Sequence, residues 1–257
     1  MSKKLFALLL SCVFLFSLSL LGCSKSNAPA AQILKVGSDT TYAPFGFQDE
    51  KTKEYVGFDI DLIKAVAKQA GYEVQLQSMN FDGLIPALDS GSIDVAISDM
   101  TITDERAKKV NFSKPYYKAG LSIVVAAGNT SIQNFKDLEG KKVAVSIGST
   151  GADEAHKIKN AKIVEFNAIA EAFLELKAGG VDAVINDSPV NEYYILHEGS
   201  KTAKIVGEPL NSEDLGIATA KSNPELGKKL DKALAEIKAN GSYETIYLKW
   251  FGKKPPQ

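Results

Sequence analysis

The 257-residue chain balances 30 Lys and Arg against 31 Asp and Glu, and it contains only two cysteines and two histidines. So near-neutral a charge gives no footprint for nucleic acid or another polyanion. Both cysteines, Cys12 and Cys23, lie near the N-terminus, and His156 and His197 stand far apart in helix-like polar settings, so the bulk of the chain offers no disulfide framework, no thiol nucleophile and no His-rich metal site.

Residues 1–4 carry two lysines, and residues 5–21 form an uncharged run of apolar residues and serines that ends in Leu20-Leu21-Gly22-Cys23. The run is a little short for a spanning helix, and a small residue before a cysteine resembles the lipobox of bacterial lipoproteins. Residues 1–22 are therefore read as a signal peptide and Cys23 as a lipidated, palmitate-bearing mature N-terminus, with a retained membrane anchor or a chance cysteine as the alternative. Cleavage removes Lys3 and Lys4 and no acid, leaving 28 basic against 31 acidic residues. Residues 23–32 are small and polar and read as a tether. The 225 residues that follow (257 less 32) suffice for one large or two small α/β domains.

From Ile33 short β-like runs alternate with longer helical ones. Residues 34–37 are expected as a strand leading into a loop with Asp39 and Tyr42. Residues 57–71 place Leu62, Ile63, Val66, Ala67 and Ala70 on one helical face closed by Gly71. Residues 72–76 alternate like a strand, and Phe81 precedes a helix over 84–88. This order predicts a parallel sheet with ligand loops at the carboxyl ends of its strands. Residues 91–99 can be laid on residues 179–187 without a gap, each a glycine, a strand and then an acid, Asp99 or Asp187. Taken as real, the echo predicts two similar lobes whose strand ends face one cleft.

Residues 101–106, Thr-Ile-Thr-Asp-Glu-Arg, follow an apolar strand and open a polar helix. Thr103 suits the N-cap, and Asp104 and Glu105 complement the positive end of the helix dipole. Arg106 sits in the same turn, where a cation is disfavoured unless an anion is near. An amino acid's α-carboxylate would match its planar fork, and so would a protein carboxylate. The loop 146–151 is a second candidate anion site: Gly148 and Gly151 allow close backbone approach, Ser149 and Thr150 add hydroxyls, and the absence of a phosphate-loop lysine disfavours nucleotides. Asp187, at the end of an apolar strand, wants a cation.

Four ordered pieces carry a family resemblance: residues 57–62 (Gly-Phe-Asp-Ile-Asp-Leu), 101–106, 112–117 (Phe-Ser-Lys-Pro-Tyr-Tyr) and 241–252 (Gly-Ser-Tyr-Glu-Thr-Ile-Tyr-Leu-Lys-Trp-Phe-Gly). With these the chain resembles the polar amino acid solute-binding lipoproteins of ABC transporters, of the glutamine- and basic-amino-acid-binding group. The resemblance implies a two-lobed periplasmic-binding-protein-like α/β fold, each lobe a mainly parallel sheet flanked by helices. Lobe 1 would hold residues 33–118 and 214–257, lobe 2 residues 119–213, with crossings near 117–121 and 211–215. It implies that Arg106 grips the ligand carboxylate, assisted by Thr101, Thr103 and the backbone at Thr150, that Asp187 receives the α-ammonium, that Tyr42 and Phe81 sandwich the side chain, and that Asp39 meets its far end. The C-terminal Tyr243, Ile246, Tyr247, Trp250 and Phe251 are read as a packed helix.

The implied partners are a free amino acid, the permease subunits of an ABC importer and a membrane held through the N-terminal lipid. A monomer outside the cytoplasmic membrane is expected, with no cofactor and no catalysis. A dehydratase-type enzyme or a sensor on the same scaffold is the rival class. Two departures from the glutamine-binding pattern bear on specificity: Ser146 replaces a lysine, and Asp99 stands where a small residue is usual. One cation is lost and one acid gained, which favours a basic ligand, arginine before lysine. Asp99 could instead serve the structure, in an ion pair with Arg106 or Lys114 or a hydrogen bond to a crossing segment, and glutamine remains the alternative ligand.

Overall fold

A computed structural model describes residues 32–256; the readings of residues 1–22 as a signal peptide, of Cys23 as lipidated and of residues 23–31 as tether lie outside them. β1 (Gln32–Ser38) begins exposed and ends buried, which drives its second half into a sheet interior. A short antiparallel ribbon follows: β2 (Thr41–Tyr42), β3 (Gly46–Gln48) and β4 (Tyr55–Val56). Gly57, at φ 141°, joins the ribbon to α1 (Phe58–Gln69), and a Cβ there would lie 2.1 Å from the Phe45 carbonyl oxygen, so glycine is required. α1 buries Phe58, Leu62, Ile63 and Val66, as its apolar spacing predicts, against Leu34 and Val36 of β1. Each such side chain contributes about 1.5–3 kcal/mol of burial.

β5 (Tyr72–Ser78), a 3₁₀ turn over Phe81–Gly83, α2 (Leu84–Asp89), β6 (Val95–Ala96), α3 (Asp104–Lys109) and β7 (Val110–Phe112) continue the first lobe. The chain then crosses in β8 (Tyr117–Ala119). The second lobe holds β9 (Leu121–Ala126), β10 (Lys142–Ser146), α4 (Thr150–Ala155), β11 (Lys162–Phe166), α5 (Ile169–Ala178), β12 (Ala183–Asp187), α6 (Ser188–Tyr194) and β13 (Ala203–Val206). It returns through β14 (Glu213–Leu215), which pairs antiparallel with β8, and ends in β15 (Ala218–Ala220), α7 (Pro224–Ala239) and α8 (Ser242–Phe251).

The first sheet has the order β5-β1-β6-β15-β7 and the second β11-β10-β12-β9-β13. Both are mixed. Three strands joined by helical crossovers run parallel on one side, whereas β15 and β9, which follow the crossings, run antiparallel to their neighbours. A strand that enters from the other lobe is free of the βαβ constraint that makes its neighbours parallel. At the crossing, a Cβ on Gly120 would lie 2.3 Å from the Asn211 carbonyl oxygen, so the two segments touch through backbone.

The C-terminal aromatics pack as expected for a core helix: Tyr247 stacks on Tyr117 at 5.6 Å, and Phe251 meets Phe58 at 5.0 Å. Trp250 donates its indole N–H to Asp61 at 2.8 Å. Of the two histidines, His156 is within 2.8 Å of Glu165 on the surface, and His197 lies against the Tyr193 ring.

Candidate functional site

β1 and β6 of the first lobe and β10 and β12 of the second end around one cavity of about 330 Å³, a figure that includes the solvent at its open mouth. Nine of the ten residues singled out above line it: Asp39, Tyr42, Phe81, Asp99, Thr101, Arg106, Ser149, Thr150 and Asp187, with Ser98 and Ser146 beside them. Thr103 does not. Its hydroxyl accepts the Arg106 N–H at 3.2 Å as the N-cap of α3, so its role is to aim the helix.

Arg106 is 9% exposed, and its guanidinium donates to the carbonyls of Thr101 at 2.9 Å and, across the cleft, of Gly148 at 3.0 Å. It lies 5.1 Å from the centre of the Phe81 ring and forms no salt bridge among the described residues. Phe81 thus offers its face to this arginine. Burial lowers the Arg106 pKa from its ordinary value, against the pull of Asp153, Asp187 and Glu213.

Ser149 caps α4, accepting the Ala152 N–H at 3.1 Å, and the helix begins at Thr150, two residues before the sequence suggests. Thr150 therefore belongs to the first helical turn. A serine cap followed by a close-packed glycine permits this: the Gly151 Cβ position lies 3.0 Å from the Ile185 carbonyl oxygen.

The acids are the site's surplus. Asp187 ends β12; its Oδ2 accepts the Tyr42 hydroxyl at 2.9 Å, and its Oδ1 is buried without a partner. The same hydroxyl makes a short contact with the Asn186 side-chain oxygen. Tyr42 so reaches across the cleft through its OH as well as lining the wall with its ring. Burial, and next the nearby Glu213, push the Asp187 carboxyl up to about 7. Asp99 takes the left-handed backbone conformation at φ 50°, unusual for a side chain, and both of its buried carboxylate oxygens lack hydrogen-bond partners. Its pKa is pushed well up by burial, then by Asp187, Asp59 and Glu213. Neither an ion pair with Arg106 or Lys114 nor a hydrogen bond to a crossing segment is formed by the Asp99 carboxylate. Its backbone N–H goes to Asp59 Oδ2 at 2.7 Å, which fixes the turn. Asp39 is tied by the Thr41 N–H at 2.8 Å and hydroxyl at 2.7 Å; burial still raises its pKa.

Two residues here are not singled out as site candidates by the sequence, although Asp59 lies in the 57–62 piece. Asp59 is fully buried under Asp99, accepts the Tyr116 hydroxyl at 3.0 Å, and is pushed up to about 7 by burial. Glu213, on β14, accepts the hydroxyls of both Thr101 and Thr150. Only its place on a crossing segment points to it, because its partners lie 112 and 63 residues away.

Two mixed-sheet lobes, two crossings and a cleft with one guanidinium facing several carboxylates define a two-lobed ligand-capture protein. The chain belongs to the bacterial extracellular solute-binding proteins, family 3, whose sequence model matches residues 34–253. It is 35% identical over 254 residues to the arginine-binding extracellular protein ArtP of Bacillus subtilis (strain 168), covering 97% of this chain and 98% of that one. Among solved structures it is similar to an ancestral arginine-binding protein bound to arginine, with a TM-score of 0.83, 50% identity, and coverage of 86% of this chain and 98% of that one. An ancestral arginine-binding protein bound to glutamine matches with a TM-score of 0.80 at the same identity and coverage. All three are named as binding proteins.

Proposed function

We propose that the chain captures a free amino acid with a cationic side chain, arginine before lysine, and presents it to the permease of an ABC importer by closing its lobes. The observation that carries this reading is the buried surplus of carboxylate. Asp99 and Asp187 bring three unpartnered oxygens to a wall whose cation is Arg106. Buried polar atoms without partners need an explanation, and buried carboxylates need cations. An arginine ligand supplies an α-carboxylate for Arg106, an α-ammonium for Asp187, and a flat guanidinium for Asp99 or Asp39. Glutamine brings the first two and no net charge. The names of the relatives agree with arginine, and the glutamine-bound ancestral protein keeps glutamine as the second reading.

Lobe 1 is taken as residues 33–118 with 214–257, and lobe 2 as 119–213. Closure expels water and strengthens each charge pair. A monomer without cofactor suffices for this task. Cys23, lipidated after removal of residues 1–22, would tether the protein outside the cytoplasmic membrane; mass spectrometry of the native N-terminus checks it, and an unmodified Cys23 refutes it.

A thermal-shift panel of the common amino acids tests the ligand. A ligand at 100 times its Kd adds about 2.7 kcal/mol of stability. The largest shift is expected with arginine. A shift with glutamine and none with arginine or lysine overturns the cationic reading.

A further inference from the structure

Glu213 stands on the second crossing strand, 8% exposed, behind the cavity wall. Its Oε2 accepts the Thr101 hydroxyl of the first lobe at 2.6 Å and the Thr150 hydroxyl of the second lobe at 2.9 Å. Its Oε1 accepts the Asn211 side-chain N–H at 2.7 Å. All three partners are donors, so the position demands acceptance on both oxygens, which only a carboxylate provides. A glutamine would set its own N–H₂ against Asn211, whose side-chain oxygen is already taken by the Leu121 N–H at 2.9 Å. The backbone beside it is fixed to the first lobe: Ile102 N–H donates to Asp214 O at 2.8 Å, and Thr101 bridges to Leu215.

We propose that Glu213 is a hinge-borne positioning residue that latches the closed cleft, one carboxylate oxygen tying a threonine of each lobe together at the site. This rests on capture by lobe closure, as proposed above. The tie needs both lobes at once, since Thr101 follows β6 and Thr150 opens α4. The other side-chain ties across the cleft, Arg106 to Gly148 and Tyr42 to Asp187 and Asn186, start from Arg106 and Tyr42 on the cavity wall itself. Glu213 is set behind that wall and ties the two threonines without itself lining the cavity. It also takes both hydroxyl protons, so neither threonine hydroxyl has a proton left for a ligand carboxylate, which falls to Arg106 and to backbone N–H groups. An interaction made only in the closed state slows release and leaves encounter with the open state unchanged.

The test is stopped-flow kinetics of arginine binding to the purified protein and to its Glu213→Gln, Glu213→Ala, Thr150→Val and Glu213→Ala/Thr150→Val variants. Glu213→Ala is expected to speed dissociation about tenfold with association within about twofold, and Glu213→Gln, which keeps the fold most surely, to fall between. The double variant should release arginine no faster than Glu213→Ala alone, because both changes cut the same tie. Unchanged dissociation in both Glu213 variants, or a lowered melting temperature with no change in dissociation, overturns the latch, as do additive effects in the double variant. A parent protein that binds no arginine refutes the ligand reading alone. The latch is then judged by small-angle scattering of the unliganded proteins, where Glu213→Ala must show the larger radius of gyration and equal radii overturn it.

Discussion

The two lobes match bond for bond along their central strands and part at the strand ends. In the first lobe Asp94 donates its N–H to Lys35 O at 2.8 Å and accepts the Lys35 N–H on Oδ2 at 2.9 Å. In the second, Asp182 does the same with Lys142, at 2.8 Å for each bond. Five residues later stand Asp99 and Asp187. There the lobes diverge: Asp187, at φ −60°, leads straight into α6, whereas Asp99, at φ 50°, turns the chain into the 101–106 segment that carries Arg106. A shared frame thus sets an acid at the mouth of each lobe, and one lobe adds the cation. The first lobe holds the guanidinium with two acids, Asp39 and Asp99, and the second contributes one acid, Asp187, with Ser149 and Thr150 at a helix start.

If that asymmetry governs capture, Arg106→Ala is the most damaging change. It removes the site's cation and leaves the ligand carboxylate desolvated, a loss of about 1.5–3 kcal/mol for the charge-assisted contact alone, or roughly 10- to 150-fold in Kd. Circular dichroism should report an intact unliganded fold, because α3 and Arg106 lie at the cleft and outside the main core. Calorimetry showing unchanged affinity would break the comparison at its root.

The paired acids should separate next. Asp187→Asn is expected to weaken every α-amino acid, since the ammonium is common to all. Asp99→Asn is expected to weaken arginine about tenfold more than glutamine, a difference of about 1.4 kcal/mol. Equal losses for the two ligands would return Asp99 to a structural role.

The same acids set a pH dependence of smaller size. Asp187 is pushed up to about 7, above its ordinary 3.8, so the unliganded fold holds a proton that the unfolded chain releases between these values. Stability of the unliganded protein from this group therefore falls as pH rises through that window, the reverse of an ion-paired carboxylate. A ligand ammonium demands the ionised form, so capture below pH 7 releases a proton. Arginine affinity should drop as pH falls from 8 to 6, by at most about tenfold per pH unit for one group. Calorimetry in two buffers of different ionisation enthalpy measures the proton count, and a pH-independent affinity refutes the linkage.

The local elements were legible in the sequence because their signals are local. The face of Leu62, Ile63 and Val66 marks α1, and Thr103 with Asp104 and Glu105 marks the start of α3. The candidates for the site were reached through two routes, the charge conflict at Arg106 and the family resemblance, and nine of the ten line one cavity. Hidden were the features that need three-dimensional proximity. Nothing in residues 211–215 says that Glu213 meets Thr101 and Thr150, nor in residues 57–62 that Asp59 lies under Asp99. The antiparallel strands β9 and β15 escaped notice for the same reason, since alternation along the chain reads as crossovers until a lobe boundary interrupts it.

The smallest expected effect probes the shared frame itself. Asp94 and Asp182 make the same pair of bonds with Lys35 and Lys142, but both lie toward the surface, at the strand ends away from the cleft. Each substitution to alanine removes one side-chain acceptor from a backbone N–H that water can then reach, so the cost is at the low end for a hydrogen bond, about 0.5–1.5 kcal/mol. The losses should be similar for Asp94→Ala and Asp182→Ala, and additive in the double variant, because the two bonds sit in separate sheets with no shared partner. Neither change should alter arginine affinity by more than about twofold, since the cleft groups keep their places. Denaturant midpoints and calorimetry measure both quantities. A large loss in one lobe and none in the other would show that the matching bonds are geometrically alike and energetically different, and that the lobes diverge through their whole depth instead of only at the strand ends.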